Sequence, residues 1–138
     1  RYANIEINYL LQRVEEYEGA IILASNMSKS IDAAFVRRMH FCIEFPFPDE
    51  DYRLQIWRGI FPPQAPLAGD VDFEFLARNF KITGGNIKNI AVAAAFRAAE
   101  EGSSIYMKHL ILSLKREYQK LGKVCEQSEF AQYYQLVN

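Results

Sequence analysis

The stretch Gly19–Pro48, GAIILASNMSKSIDAAFVRRMHFCIEFPFP, decides the fold class. An apolar run, Ala20–Ala24, ends in a short polar tip that carries Asn26. A pair of arginines, Arg37 and Arg38, precedes a second apolar run, Phe41–Phe47. An apolar run ending in a lone amide reads as a buried strand that delivers a polar group to the top edge of a sheet. Open α/β sheets bind their ligands at that edge. Two arginines just before the next strand place cations where phosphate charge could develop. The pattern suits nucleotide hydrolysis, yet the phosphate-holding half of such a site is missing from these residues.

Working outward, residues 4–17 carry Ile7, Leu10, Leu11 and Val14 at helical spacing, and Gly19 is expected to end that helix. Ile21–Ala24 is too continuous an apolar run for a half-exposed antiparallel strand and reads as a buried one. Ser30-Ile31-Asp32 opens a short helix through Arg38, and Phe41–Phe45 reads as a second strand closed by Pro46 and Pro48. The order helix–strand–helix–strand implies parallel strands with crossover helices. After Pro48 the pattern becomes helical. Asp49 is placed to cap a helix with Tyr52, Ile56, Trp57 and Ile60, stopped by Pro62-Pro63. Asp72 is placed to cap a short helix with Phe73, Leu76 and Phe80. Thr83-Gly84-Gly85 reads as a turn into a helix with Ile87, Ile90, Ala91, Ala94 and Ala98, ending near Gly102. A further helix carries Met107 to Leu121 and stops at Gly122, and Ser128–Leu136 is expected to form a short terminal helix. Residues 1–48 are thus read as α/β and 49–138 as a small helical bundle, with no internal repeat.

Composition narrows the function classes. The 138 residues are 50% hydrophobic and 24% charged, as in an ordinary globular domain. Sixteen basic and seventeen acidic residues leave a net charge of -1. That balance offers no electrostatic drive toward nucleic acid or an anionic membrane. Cys42 and Cys125 have neither metal-like spacing nor partners for a disulfide framework, so a reducing, cytoplasmic setting is expected and no metal site. No apolar run approaches the roughly 20 residues of a membrane span. The chain opens on Arg1-Tyr2-Ala3 and is expected to be a piece of a longer protein.

Each candidate residue has a plainer reading. Asn26 can orient a water or a phosphate oxygen, because its amide both donates and accepts; it can equally be a turn asparagine. Arg37 and Arg38 offer forked, permanently charged donors for transition-state charge, or they can be a solvated helix end. Gly84 and Gly85 permit close backbone approach to a planar or anionic ligand, or they simply start a helix. Lys88 stands near that helix start, where its charge opposes the dipole and a nearby anion would account for it. Phe45–Glu50 superficially imitates a strand ending in a magnesium-binding Asp-Glu pair, but its two prolines deny the ladder donors of a central strand. Gly122-Lys123-Val124 lacks the rest of a phosphate-binding loop. His40 and His109 have no companions at ligand or triad spacing and read as structural.

Taken together and in order, these elements resemble the C-terminal half of an AAA ATPase module, most clearly over residues 4–101. In that family a helix like Leu10-Leu11-Gln12-Arg13-Val14-Glu15 precedes a strand ending in the sensor-1 residue, so Ile21-Ile22-Leu23-Ala24-Ser25-Asn26 puts Asn26 there. Ile31-Asp32 followed by a helix and Arg37 fits the family's arginine finger. Arg38 is adjacent, as in some members, whereas others carry a second arginine where this chain has His40. Thr83-Gly84-Gly85-Asn86-Ile87 is similar to the Gly-rich sensor-2 turn of the helical lid, with Lys88 in place to supply its cation.

The resemblance implies a P-loop NTPase α/β part at residues 1–48 and a helical lid at 49–138. It implies ATP and Mg2+ as cofactors of the intact protein, the nucleotide held partly by Gly84, Gly85, Asn86 and Lys88. Asn26, Arg37 and Arg38 would be the catalytic residues, the arginines serving a neighbouring subunit. It also implies a homo-oligomeric ring, expected to be a hexamer, that acts on protein substrates, with neither membrane nor nucleic acid as a partner. The phosphate-binding loop, the Asp-Glu strand and the pore loop are absent from these residues, so the chain alone is expected to be inactive and to bind no nucleotide tightly. The alternative is a non-hydrolysing AAA-like scaffold that lends its arginines to an active neighbour. A regulatory module with a helical DNA-binding extension is a third reading, disfavoured by the near-neutral charge.

Overall fold

A computed structural model of the chain describes residues 9–10, 12–24, 36–37 and 39–138. The chain divides into two compact units, Arg1–Phe45 and Pro46–Asn138.

In the first unit, residues 9–10 and 12–16 are helical. Arg13 Nε donates to the Tyr9 hydroxyl at 3.0 Å with its guanidinium over the Tyr9 ring, and Gln12 donates to Glu16 at 2.8 Å. These are i,i+4 pairs, the spacing at which helix side chains meet. A Cβ on Gly19 would meet the far end of the exposed Tyr17 ring, which would have to swing aside. Residues 21–24 and 41–45, expected as parallel strands, form no strand. Their side chains are not buried either: Ile22 is 94% exposed, Phe41 87%, Ile43 77% and Phe45 90%. The physical reason is pairing. An extended run becomes a strand only when a neighbour takes its backbone N–H and C=O groups, and among the described residues neither run has one. The α/β layer is therefore an expectation from sequence that the described residues do not display.

The second unit is helical, and its helices start and stop where local chemistry dictates. Helix α1 spans Glu50–Ile60, with Asp49 accepting from the Tyr52 N–H at 2.9 Å. Helix α2 spans Phe73–Asn79, with Asp72 accepting from the Phe75 N–H at 2.8 Å. Helix α3 covers Gly84–Glu100 and α4 covers Met107–Lys120. A short α5, Gln127–Phe130, leads into a 3-10 helix over Ala131–Leu136. Helices α3 and α4 both end in left-handed glycines, Gly102 at φ +62° and Gly122 at φ +66°. At each, two backbone bonds close the end: Gly102 N–H to Ala99 O and Ser103 N–H to Ala98 O, then Gly122 N–H to Gln119 O and Lys123 N–H to Tyr118 O. These are Schellman closures, which consume the last free carbonyls.

The core lies between α3 and α4 and continues under α1 and α2. Ile87, Ile90, Ala91, Ala94 and Ala98 form the buried stripe of α3, and the alanines let α4 approach closely. Leu110, Ile111, Leu114 and Tyr118 answer from α4. Trp57 of α1 is fully buried and stacks on Phe73 at 6.1 Å. Two polar side chains, Arg53 and Asp70, pin the helices. Arg53, 5% exposed, donates from Nε to Ala77 O at 2.9 Å and from Nη1 to Pro48 O at 2.7 Å. Asp70 accepts from the Met107 N–H at 3.2 Å, capping α4 from the loop between α1 and α2. That loop is held by a single parallel bridge, Leu67 with Ile105, the one piece of β pairing among the described residues.

Candidate functional site

The start of α3 is the part of the sequence-derived site that the structure describes in full. Thr83 caps the helix: its Oγ1 accepts from the Asn86 N–H at 3.2 Å, while Asn86 Oδ1 accepts from the Thr83 N–H at 3.1 Å. This reciprocal box satisfies two otherwise orphaned donors. It also commits the Asn86 side chain. The remaining end of that amide, Nδ2, donates to Glu117 Oε1 of α4 at 3.0 Å. Asn89 Nδ2 donates to the same oxygen at 3.2 Å, and Lys120 Nζ donates to Oε2 at 2.9 Å. Glu117 is 5% exposed, and both its oxygens are occupied. Burial works to raise this carboxyl, but hydrogen bonds from Lys120, Asn86 and Asn89 outweigh it and hold the group below the usual carboxylate range. Glu117 therefore acts as an ionised strut that fixes the Gly-rich turn against α4.

The glycines of the turn leave space instead of filling it. A Cβ on Gly85 would meet only Thr83 Oγ1 at 3.7 Å, and one on Gly84 only Ile56 Cδ1 at 3.5 Å. Both are ordinary contacts, so packing among the described residues does not demand glycine at either place. The N–H groups of Gly84 and Gly85 make no hydrogen bond within the described residues. The first turn of α3 carries no acidic side chain, whereas α1 begins with Glu50 and Asp51 and α2 with Glu74. Lys88 is exposed and makes no ion pair with a described residue. The result is an open helix start with two free N–H donors, uncompensated dipole and a nearby cation. Chemically, that is a surface suited to an anion.

The other sequence-derived residues fare differently. Asn26 and Arg38 lie outside the described residues. Arg37 is described, exposed and in a turn, in the first unit. Gly84, Gly85, Asn86 and Lys88 all belong to the second unit, so the described geometry assembles the α3 group only. Cys42 is exposed and Cys125 half-buried, both as free thiols. Among the described residues no cluster of His, Cys, Asp and Glu could hold a metal ion, and no helix is long and apolar enough to cross a membrane.

Two structural roles, those of Glu117 and Arg53, are not legible in the sequence, and a third, that of His109, reads there only as structural. Glu117 had no local signal, because its partners lie about 30 residues upstream, 31 for Asn86 and 28 for Asn89. Arg53 looks in sequence like any helix arginine. His109 carried a usable signal, since it stands three residues after the helix-capping position Tyr106. Its Nδ1 accepts from the Tyr106 N–H at 3.0 Å, which leaves Nε2 to carry the proton toward Glu101 Oε2 at 3.1 Å. Lys108 reaches the same Glu101 oxygen at 2.7 Å.

Comparison with known proteins adds an independent line. No protein-family model matches the chain. A probable 26S proteasome regulatory subunit 6B of Caenorhabditis elegans is 30% identical over 106 residues, covering 75% of this chain and 25% of that protein. A proteasome-activating nucleotidase of Saccharolobus solfataricus is 27% identical over 136 residues, covering 91% of this chain and 34% of that protein. A second proteasome-activating nucleotidase, from Saccharolobus islandicus, is 29% identical over 118 residues, 78% of this chain and 30% of that protein. The matched stretch thus spans only a quarter to a third of the length of these relatives. The P-loop NTPase fold that such relatives suggest contrasts with the mostly helical described residues, where the α/β layer is not displayed. At 27–30% identity, the similarity to proteasome regulatory proteins supports the AAA ATPase family for this chain.

Proposed function

We propose that these residues form the sensor, arginine-finger and lid portion of an AAA ATPase that couples ATP hydrolysis to the remodelling of protein substrates. The observation that carries this reading is the ordered series Asn26, Ile31-Asp32, Arg37 and Thr83-Gly84-Gly85, in a chain alignable over 91% of its length with a proteasome-activating nucleotidase. Asn26 positions the attacking water in its own subunit's site. Arg37, with Arg38 beside it, reaches the site of the neighbouring subunit in a homo-oligomeric, hexameric ring. The open start of α3 supports the lid role: Gly84 and Gly85 offer backbone donors, and Lys88 offers charge, to a nucleotide lying against the lid. Asn86 supports that surface indirectly, because its amide is spent on Thr83 and Glu117.

Within this reading ATP and Mg2+ are held mainly by a phosphate-binding loop and an Asp-Glu pair that these 138 residues do not contain. The residues that remain supply a few contacts to one side of the nucleotide. Calorimetric titration of the chain with Mg-ATP should therefore show no binding tighter than about 100 µM, the regime of a few isolated polar contacts. Micromolar affinity would contradict the assignment of the missing half-site. A polypeptide that carries the same residues behind a phosphate-binding loop should hydrolyse ATP.

A further inference from the structure

Residues 131–138 close the second unit in a way that no other segment does. Ala131 sits at φ +45°, ψ −121°, and no other described residue apart from glycine has positive φ. A Cβ is disfavoured in this region, which glycine occupies without cost. Ala131 also opens a six-residue 3-10 helix, Ala131–Leu136, with no buried residue of its own. Runs of that length are uncommon because their hydrogen bonds are poorly aligned. The residue just before the joint is the opposite case. Phe130 is fully buried, 4.9 Å from the Phe80 ring and 5.8 Å from the Tyr118 ring.

What holds the segment beyond the joint is equally distinctive. Its terminal backbone bonds, Val137 N–H and Asn138 N–H to Tyr134 O, stay within the segment, and Ala131 N–H reaches back only to Gln127 O. Among the described residues no side-chain hydrogen bond or ion pair joins residues 131–138 to α1, α2, α3 or α4. The attachment is apolar: Tyr133 meets Phe75 of α2 edge-on at 5.2 Å, and Val137, 5% exposed, packs into the core. Phe75 in turn lies edge-on to Phe80 at 5.9 Å. Releasing the segment would uncover one edge of this aromatic cluster while Phe130 stayed anchored.

We propose that residues 131–138 are a detachable strap, hinged at the strained Ala131, which opens by local unfolding and uncovers the Phe75 edge while α1–α4 stay folded. The strain biases the strap toward opening, and the Tyr133 and Val137 contacts hold it shut. Amide hydrogen exchange on the full chain tests this in three arms. The strap's amides should exchange at least about tenfold faster than those of α4, the signature of a separate opening unit. Ala131→Gly should slow strap exchange about two- to fivefold by removing the strain, without changing α4. Tyr133→Ala should speed strap exchange and leave α4 unchanged. The proposal is overturned if the strap and α4 exchange as one unit. It is equally overturned if Ala131→Gly fails to slow the strap, or if Tyr133→Ala loosens α4 as much as the strap.

Discussion

Removing the Glu117 carboxylate should loosen the Gly-rich turn and cost the second unit a substantial part of its stability. In Glu117→Ala, the Nδ2 groups of Asn86 and Asn89 lose a charged acceptor at 3.0 and 3.2 Å. Hydrogen bonds to charged groups contribute about 1.5–3 kcal/mol when well enclosed. Here Asn89 is exposed and Asn86 half-buried, so about 1 kcal/mol each is the better figure. The Lys120 contact adds at most about 0.5 kcal/mol, because Lys120 is largely exposed. The expected loss is about 2–2.5 kcal/mol by urea titration at pH 7. Glu117→Gln keeps an acceptor oxygen but loses the charge, and should cost about half as much. The pH dependence has a definite sign. The folded-state carboxyl titrates below its unfolded value of about 4.3, so its contribution is present above that pH and disappears as pH falls through the folded value. The gap between parent and Glu117→Gln should therefore narrow below about pH 4. A Glu117→Ala loss under about 0.5 kcal/mol, within the range of ordinary surface changes, would refute the strut. So would a gap that stays constant from pH 7 to pH 3.

Two further outcomes follow from single residues. Gly122→Ala should destabilise by about 1 kcal/mol purely through its φ of +66°, since a Cβ there meets nothing within 4 Å; Gly59→Ala in the last turn of α1, equally unobstructed and without positive φ, should instead stabilise by up to about 0.5 kcal/mol, and paired thermal melts check the contrast. Burial first, and then the Glu129 carboxylate, raise the Tyr118 hydroxyl above its ordinary value, so folding favours the protonated form; stability should be complete below about pH 10 and fall above it, and Tyr118→Phe should remove that alkaline loss in urea midpoints measured from pH 9 to 12.

The helical unit was largely legible in sequence because its signals are local. Asp49, Asp72 and Thr83 cap their helices, and Gly102 and Gly122 close theirs, as residues of those types do wherever a backbone end needs a partner or a left-handed turn. The sequence reads Thr83-Gly84-Gly85 as a turn into the helix; the structure starts α3 within that turn, at Gly84, with Thr83 as its cap. Ser128–Leu136 was read as one helix and is two, divided at Ala131, because nothing in an alanine announces a positive φ. The long-range struts were not legible. Glu117 and Arg53 look like surface residues in a one-dimensional pattern, and only the approach of α3 to α4, and of α1 to α2, gives them partners. The apolar runs at 21–24 and 41–45 read as strands from composition alone. Composition reports which residues favour a sheet, whereas a ladder needs neighbouring backbone, and the described residues supply none. For the site, the Gly84–Lys88 group was placed together by adjacency in sequence, while the relation of Asn26 to the arginines rests on the family resemblance.

The central claim is that Asn26 serves its own subunit's nucleotide and Arg37 serves a neighbour's. It is tested most directly by mixing subunits of a polypeptide that carries these residues behind a phosphate-binding loop. Arg37→Ala alone and Asn26→Ala alone should each lose ATP turnover, by about 10³-fold or more for the arginine. Mixed rings should regain activity, because an Arg37→Ala subunit with intact Asn26 can receive Arg37 from an Asn26→Ala neighbour. Recovery to a sizeable fraction of parent turnover is the expected result. Mixed rings as inactive as either variant, or an Arg37→Ala subunit with full activity, would contradict the claim.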